Sequence, residues 1–269
     1  MTAEQPQAPR RVRPRPRLTS VSRIDRLTAG CIRVTVTGDE LEGYASRGPA
    51  EHIKVLFPPP GERRLVLPEW GPEGPVLAEG QTMPPSRTYT PRLWDASAGE
   101  LSVDIMLHGS GLASDWVQQA RAGDVVGISN PGGAYTIDPA ADWYVIAGDE
   151  SALPAAATIL EALPPGIETE VILEVTGAAE EQPLDGARVT WLHRGESAPA
   201  GALLEETLRQ QTFYAGNGRI WLGCEASIMR SIRRHLIDDR GMDRAHMHTH
   251  GYWKLGVSNH PDHDVAQEI

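Results

Sequence analysis

Cysteine is scarce in this chain. Cys31 and Cys224 are the only two among 269 residues, and they stand far apart inside apolar runs. Two such thiols can build neither a disulfide framework nor a four-ligand zinc site. Positive charge is short as well: 25 Lys and Arg face 36 Asp and Glu, a formal net charge of -11 with a pI of about 5.3. That balance argues against general nucleic-acid binding, which requires clustered cations. No apolar stretch approaches the roughly 18 residues of a membrane-spanning helix, and the polar N-terminus has no signal-peptide hydrophobic core. The expectation is a soluble, cytoplasmic protein without membrane insertion. Gly-x-Ser-x-Gly does not occur, and no Ser, His and Asp follow the order of a nucleophile elbow.

Glycine and proline are plentiful instead, at 27 and 22. They point to many turns between recurring apolar runs rather than to disorder or a helix bundle. The stretch Arg10-Arg11-Val12-Arg13-Pro14-Arg15-Pro16-Arg17 is a local cationic exception. Its prolines prevent a helix, so it reads as a mobile arm leading into the first strand. The length suits one large domain or two ordinary ones.

The first half reads as antiparallel β, with strands expected at 18–26, 31–37, 52–57, 63–66, 86–92, 101–107 and 125–129. One helix is expected at 111–120, where Leu112, Trp116 and Ala120 recur at i, i+4 and i+8. Short strands with a single intervening helix predict a small Greek-key barrel. From about Asp142 the rhythm changes. Strands at 143–147, 170–175, 188–192, 219–222 and 244–249 alternate with helical stretches at 151–163, 200–209 and 225–237, which implies right-handed crossovers and a mainly parallel sheet. The division falls near 132–141, giving domains of 15–135 and 136–256 with tails at 1–14 and 257–269. No internal repeat is visible.

Arg87-Thr88-Tyr89-Thr90-Pro91-Arg92 places two guanidinium groups and a phenol on one extended segment. In a strand Arg87 and Tyr89 share a face, while Arg92 beyond the proline need not stay in register. A phenol beside a phosphate-binding Arg suits a dinucleotide; a strand with exposed arginines around a packed Tyr fits equally. His108-Gly109-Ser110-Gly111 opens a helix and offers a cradle for pyrophosphate, or a structural turn. Open parallel sheets bind ligands beyond the carboxyl ends of their strands, here Gly148-Asp149-Glu150, Arg194-Gly195 and Gly223-Cys224-Glu225. Gly148 permits a tight turn, although this is not a G-x-G-x-x-G fingerprint and Ser151 can serve as an ordinary helix cap. Arg194 is placed either to grasp the 2′-phosphate of NADP or to be solvated.

Gly251-Tyr252-Trp253-Lys254-Leu255-Gly256 sets large aromatics beside a cation near the chain end. Such aromatics often seal a core, while Lys254 can project toward an anionic ligand. Lys54 is a second cation within an apolar strand, where a lysine snorkels from an edge. His246, His248 and His250 alternate and His260 and His263 follow, but no carboxylate is fixed beside them and no metal site is assigned.

The segments Arg87–Arg92, His108–Trp116, 148–155 and Gly251–Gly256, in this order, resemble the siderophore-interacting protein family, a branch of the ferredoxin-reductase-like flavoproteins. The resemblance spans nearly all of 15–256. It implies an FAD-binding barrel followed by an NAD(P)H-binding α/β domain. Arg87 and Arg92, with Tyr89 and Thr90, would hold FAD. His108, Gly109, Ser110, Gly111, Ala113, Ser114 and Trp116 would support its pyrophosphate and ribityl chain, joined by Tyr135. Gly148, Asp149, Glu150, Leu153 and Pro154 would line the nicotinamide side, with Arg194 the one hint toward NADPH. Lys54 and Lys254 would receive an anionic ferric siderophore; many relatives carry Arg where this chain has Lys254. The implied activity is reduction of chelated Fe(III) by NADPH or NADH through FAD, releasing Fe(II) for iron assimilation, with flavin N5 rather than a side chain carrying the redox step. A flavin reductase with another acceptor or a ferredoxin-type donor is one alternative, and a non-catalytic siderophore-binding protein another. A monomer is the default.

Overall fold

The computed structural model describes residues 14–260; Arg10–Arg13 of the cationic stretch and His263 lie outside them. Strand periodicity builds the first half. In β1 (Arg17–Thr28) and β2 (Cys31–Thr37), which pair antiparallel, the i, i+2 spacing sends Ile32, Val34 and Val36 into one core. The chain continues through β3 (Ile53–Leu56), a small hairpin of β4 (Glu69–Gly71) and β5 (Gly74–Val76), then β6 (Ser86–Tyr89), β7 (Pro91–Asp95), β8 (Glu100–Met106), helix α1 (Leu112–Val117) and β9 (Val125–Ile128). Seven of these strands form an antiparallel sheet in the order β6-β3-β9-β1-β2-β8-β7.

The expected closed Greek-key barrel does not form. The two edge strands, β6 and β7, are consecutive and separated only by Thr90. Pro91 has no N–H to extend a ladder, and pairing restarts against β8 with a register shift between Pro91 and Leu93. The sheet is therefore a curled half-barrel, and the strand expected at 86–92 is two. Residues 63–66 are not a strand either. That stretch follows three prolines, and only Leu65 dips inward, against the sheet at Gly127. Helix α1 stops before Ala120, with Trp116 packed edge-on to Phe57 at 5.1 Å between ring centroids.

The second half contains β10 (Trp143–Asp149), α2 (Leu153–Ala162), β11 (Glu168–Val175), β12 (Arg188–His193), α3 (Ala202–Gln210), β13 (Gly218–Glu225), α4 (Ala226–Asp238) and β14 (Met247–Trp253). All four ladders of this sheet are parallel, in the order β12-β11-β10-β13-β14. Helices on both faces bury β10 along its whole length, which is why 143–147 reads as a continuous apolar run. Tyr144 and Ile146 meet α2 on one side, while Val145 and Ala147 meet α3 and α4 on the other. The last strand is displaced from 244–249: a 3-10 turn occupies Arg244–His246 and the strand runs on to Trp253. The antiparallel sheet followed by the parallel one is the two-part arrangement that the sequence resemblance implies.

Several contacts join the halves. Thr158 Oγ1 accepts the Ala50 N–H at 2.9 Å, Arg92 pairs with Glu161 of α2 at 2.7 Å, and Glu180 accepts the Gly30 N–H at 3.1 Å. Among the described residues no helix is long and apolar enough to cross a membrane. Both cysteines are buried and unpaired.

Gly148 is not a turn residue. It lies within β10, and a Cβ there would run into the Ala152 methyl and the Gly223 carbonyl oxygen. Glycine is required by close approach, so Gly148→Ala should destabilise the fold by about 1–3 kcal/mol, read as a lower urea midpoint. An unchanged midpoint would mean that the contact relaxes freely.

Candidate active site at the joint between the two sheets

The carboxyl ends of three of the parallel strands, β10, β13 and β14, converge on one acid. Asp149 ends β10 and is fully buried. Its Oδ1 accepts the Ser151 N–H at 2.9 Å and the Ser151 hydroxyl at 2.5 Å. Its Oδ2 accepts the Glu225 N–H at 3.0 Å and the Trp253 indole N–H at 2.8 Å. Asp149, rather than Ser151, is thus the cap of the turn that follows β10, and the same carboxylate ties down the ends of β13 and β14. Burial raises its pKa to about 6, with Glu150 adding to the rise and the donors from Ser151 and Trp253 opposing it.

Lys254 hangs between two anchored neighbours. Trp253 is held by Asp149, and the Leu255 N–H donates to Glu225 Oε1 at 3.3 Å. Glu225 also caps α4 by accepting the N–H groups of Ser227 and Ile228. Just beyond, Ser258 accepts a hydrogen bond from Arg87 Nη2 at 3.1 Å. The end of β14 and its following turn therefore lean on strand β6 of the other sheet.

On β6 the register sets Arg87 opposite Val55 and Tyr89 opposite Ile53, while Thr88 faces Lys54. Arg87 and Tyr89 share a face, as their spacing requires. Burial raises the Tyr89 phenol well above its ordinary range, against the effect of Arg87, so it stays protonated. Lys54 is exposed on the opposite face, its backbone N–H donating to Ser129 Oγ at 2.8 Å. Thr90 is buried at the seam between β6 and β7.

The turn at 108–111 brings Gly109 to a φ of 45°, in the left-handed region. Asp115 Oδ2 accepts the Gly111 N–H at 3.2 Å. Ala113 and Ser114 are buried behind this turn, and Ser114 Oγ has no hydrogen-bond partner among the described residues. An orphaned buried hydroxyl costs about 1–3 kcal/mol, so a ligand oxygen fits there. FAD, with its pyrophosphate and ribityl hydroxyls, is compatible with this donor set and with Arg87.

Two expected site residues, Arg92 and Tyr135, stand elsewhere, and a third, Arg194, stays at the carboxyl edge but is already paired. Arg92 turns to Glu161 across the domain joint and borders a cavity of about 310 Å³ with Pro49, Trp94 and Thr158. Tyr135 packs on the His248 ring at 5.1 Å, toward the amino ends of the parallel strands. Arg194 is neither free nor solvated: Glu150 grips both terminal nitrogens. Leu153 and Pro154 are buried at the start of α2. The histidines also separate. His246 sits in the 3-10 turn, whereas His248 and His250 approach at 2.6 Å between Nε2 atoms. Burial first, then His248 and His52, lower His250 to about 4. Among the described residues no group of three or more His, Cys, Asp or Glu is arranged to hold a metal ion.

Family models match both halves, residues 20–135 as a siderophore-interacting FAD-binding domain and residues 141–256 as a siderophore-interacting protein. The chain belongs to the siderophore-interacting protein family. It is similar to an uncharacterized protein of Mycobacterium tuberculosis, 40% identical over 187 residues, which are 64% of this chain and 66% of that relative's length. The chain thus spans just under two thirds of that relative. An NADPH-dependent ferric-chelate reductase of Escherichia coli is 32% identical over 92% of this chain and 97% of its own length. The crystal structure of a siderophore utilization protein from T. fusca superposes with a TM-score of 0.81 at 37% identity, covering 92% of this chain and 96% of that one.

Sequence reasoning missed the partners that fix this family member's site. Glu174 is wholly buried and accepts the N–H groups of Gly201 and Leu204 at the start of α3. An acid between Leu173 and Val175 in an apolar strand was the available signal. Nothing in the sequence marks Ser258 as a partner of Arg87.

The Asp149 carboxyl titrates in the folded protein near 6, above the roughly 3.9 of an unfolded Asp. The folded state therefore binds this proton more tightly between those limits. This group's contribution to stability is largest below about pH 4, declines as pH rises through about 6 and is level beyond. In Asp149→Asn one oxygen becomes a donor facing donors, which should cost about 1–3 kcal/mol. Urea melts should show a larger loss at about pH 4.5 than at about pH 7.5; equal losses would place the titration elsewhere.

Proposed function

We propose that this chain is an FAD-dependent NAD(P)H:ferric-siderophore oxidoreductase, with residues 15–135 as its flavin half and 136–256 as its nicotinamide half. The observation that carries the reading is the Arg87–Ser258 contact. Through it, the strand suited to FAD and the carboxyl edge suited to a nicotinamide meet beside Lys254, a cation suited to an anionic chelate. The E. coli relative, a ferric-chelate reductase by name, supports the same reading along nearly its full length.

FAD held at this site would supply the redox chemistry between the nicotinamide and chelated Fe(III). The residues bind, orient and exclude water. Arg87 neutralises phosphate charge, and the Tyr89 phenol, kept protonated by burial, offers a flat wall and a hydrogen bond. The turn at 108–111 and the Ser114 hydroxyl receive ligand oxygens. Asp149, by holding Trp253, sets the position of Lys254 without touching the chelate itself.

Lys54 and Lys254 are the only lysines in the chain. On a surface of net charge -11, an anionic chelate needs such local cations to approach. Siderophores present hard oxygen ligands suited to Fe(III), and reduction loosens their hold so that iron leaves with the chelator intact. This reading assigns the reaction to the cytoplasm, where reduced nicotinamide is regenerated, and to a single chain as the working unit.

Anaerobic stopped-flow absorbance tests it directly. NADH or NADPH should bleach the flavin of the FAD-loaded protein, and a ferric siderophore should restore it while a trap captures Fe(II). Bleaching without chelate-dependent recovery would overturn the acceptor. Lys54→Gln or Lys254→Gln should raise KM for the chelate about two- to fivefold, as expected for a partly exposed charge, with flavin content unchanged. An unaltered KM would remove that lysine from the chelate site.

A further inference from the structure

The carboxyl edge of the parallel sheet holds the corner at which a sheet of this order meets the adenosine ribose of a dinucleotide. In sheets of this order the first strand-to-helix turn receives the pyrophosphate. The adenosine ribose lies toward the second and third strands, where an acid takes its 2′-hydroxyl or an Arg takes a 2′-phosphate. In this chain that corner is formed by Glu150 after β10, Glu174 and Thr176 at the end of β11, and Arg194 after β12.

Arg194 is already occupied. Its Nη1 donates to Glu150 Oε2 at 2.8 Å and its Nη2 to Glu150 Oε1, a two-pronged pair. Nη2 also donates to Thr176 Oγ1 at 3.0 Å, and Glu174 Oε1 stands 3.6 Å from Nη1. The Arg194 side chain is only 12% exposed, against 28% for Glu150 and none for Glu174. Planar paired contacts of this kind are among the strongest a guanidinium makes. A 2′-phosphate would have to displace Glu150 and then lie beside two carboxylates facing one guanidinium. Like charges brought together out of water oppose that arrangement.

A ribose diol meets the opposite situation. It brings hydroxyl donors, and the partly exposed Glu150 carboxylate keeps lone pairs to accept them. Glu174 cannot serve, since it is buried and accepts the N–H groups of Gly201 and Leu204 at 2.6 and 2.9 Å. We propose that this corner selects NADH over NADPH, with Glu150 as the discriminating side chain and Arg194 as the group that positions it. The proposal rests on the reductase reading above and separates this chain from the relative whose name specifies NADPH.

The test is calorimetric titration of the FAD-loaded protein with NAD⁺ and NADP⁺, which requires no turnover. NAD⁺ should bind at least about tenfold more tightly. Glu150→Gln, which releases Arg194 and removes one negative charge, should move the ratio toward NADP⁺ by about tenfold. Arg194→Gln should leave NAD⁺ preferred. The proposal is overturned if NADP⁺ binds as tightly as NAD⁺ to the wild type, if neither binds, or if Glu150→Gln leaves the ratio unchanged. Should the variants fail to fold, wild-type titration with ADP-ribose and its 2′-phosphorylated form decides the matter alone. Photoreduced wild type mixed anaerobically with a ferric siderophore examines the reductase reading independently. Failure there sinks that reading, whereas failure in the titrations alone sinks only the donor preference.

Discussion

Desolvation of one carboxylate governs the second half of this protein. Asp149 has no exposed surface, yet four donors from three chain segments converge on it. Each donor would itself be poorly satisfied without the acid, so acid and donors hold one another in place. The result is a fixed floor from which Trp253, Lys254 and the following turn extend toward Arg87. At the end of the neighbouring strand Glu225 acts in the same way, capping α4 and holding Leu255.

Arginine is used differently on the two sides of the molecule. Arg87 donates to a neutral hydroxyl and to its neighbour's carbonyl, so its charge is available to a phosphate. Arg92 and Arg194 are both paired with glutamates. Arg92 joins the halves by bridging β7 to α2, while Arg194 stiffens the carboxyl edge. One residue type supplies a cation without a carboxylate partner among the described residues, a joint and a brace, and only its partners distinguish the roles.

Much of the architecture was legible because its causes are local. Trp143-Tyr144-Val145-Ile146-Ala147 has no polar face, and only a central strand covered on both sides uses such a run. The half-barrel was misread as closed because the restart at Pro91 depends on which partner each side of Thr90 finds, and strand pairing is not written in periodicity. Arg194 shows the same limit at the site. A strand-end arginine is visible in the sequence, but Glu150 is 44 positions away along the chain, and only folding makes them partners. The four segments that carry the family likeness were readable together, since their order reports the order of elements around one joint.

The scarcity of lysine has a practical side. Apart from the chain's own amino terminus, primary amines occur only at Lys54 and Lys254, the first exposed and the second half-covered. Amine-directed labels, cross-linkers and acylating metabolites that spread over most protein surfaces would here be concentrated at those two positions. Ordinary surface conjugation is thus a local probe of those two positions in this molecule.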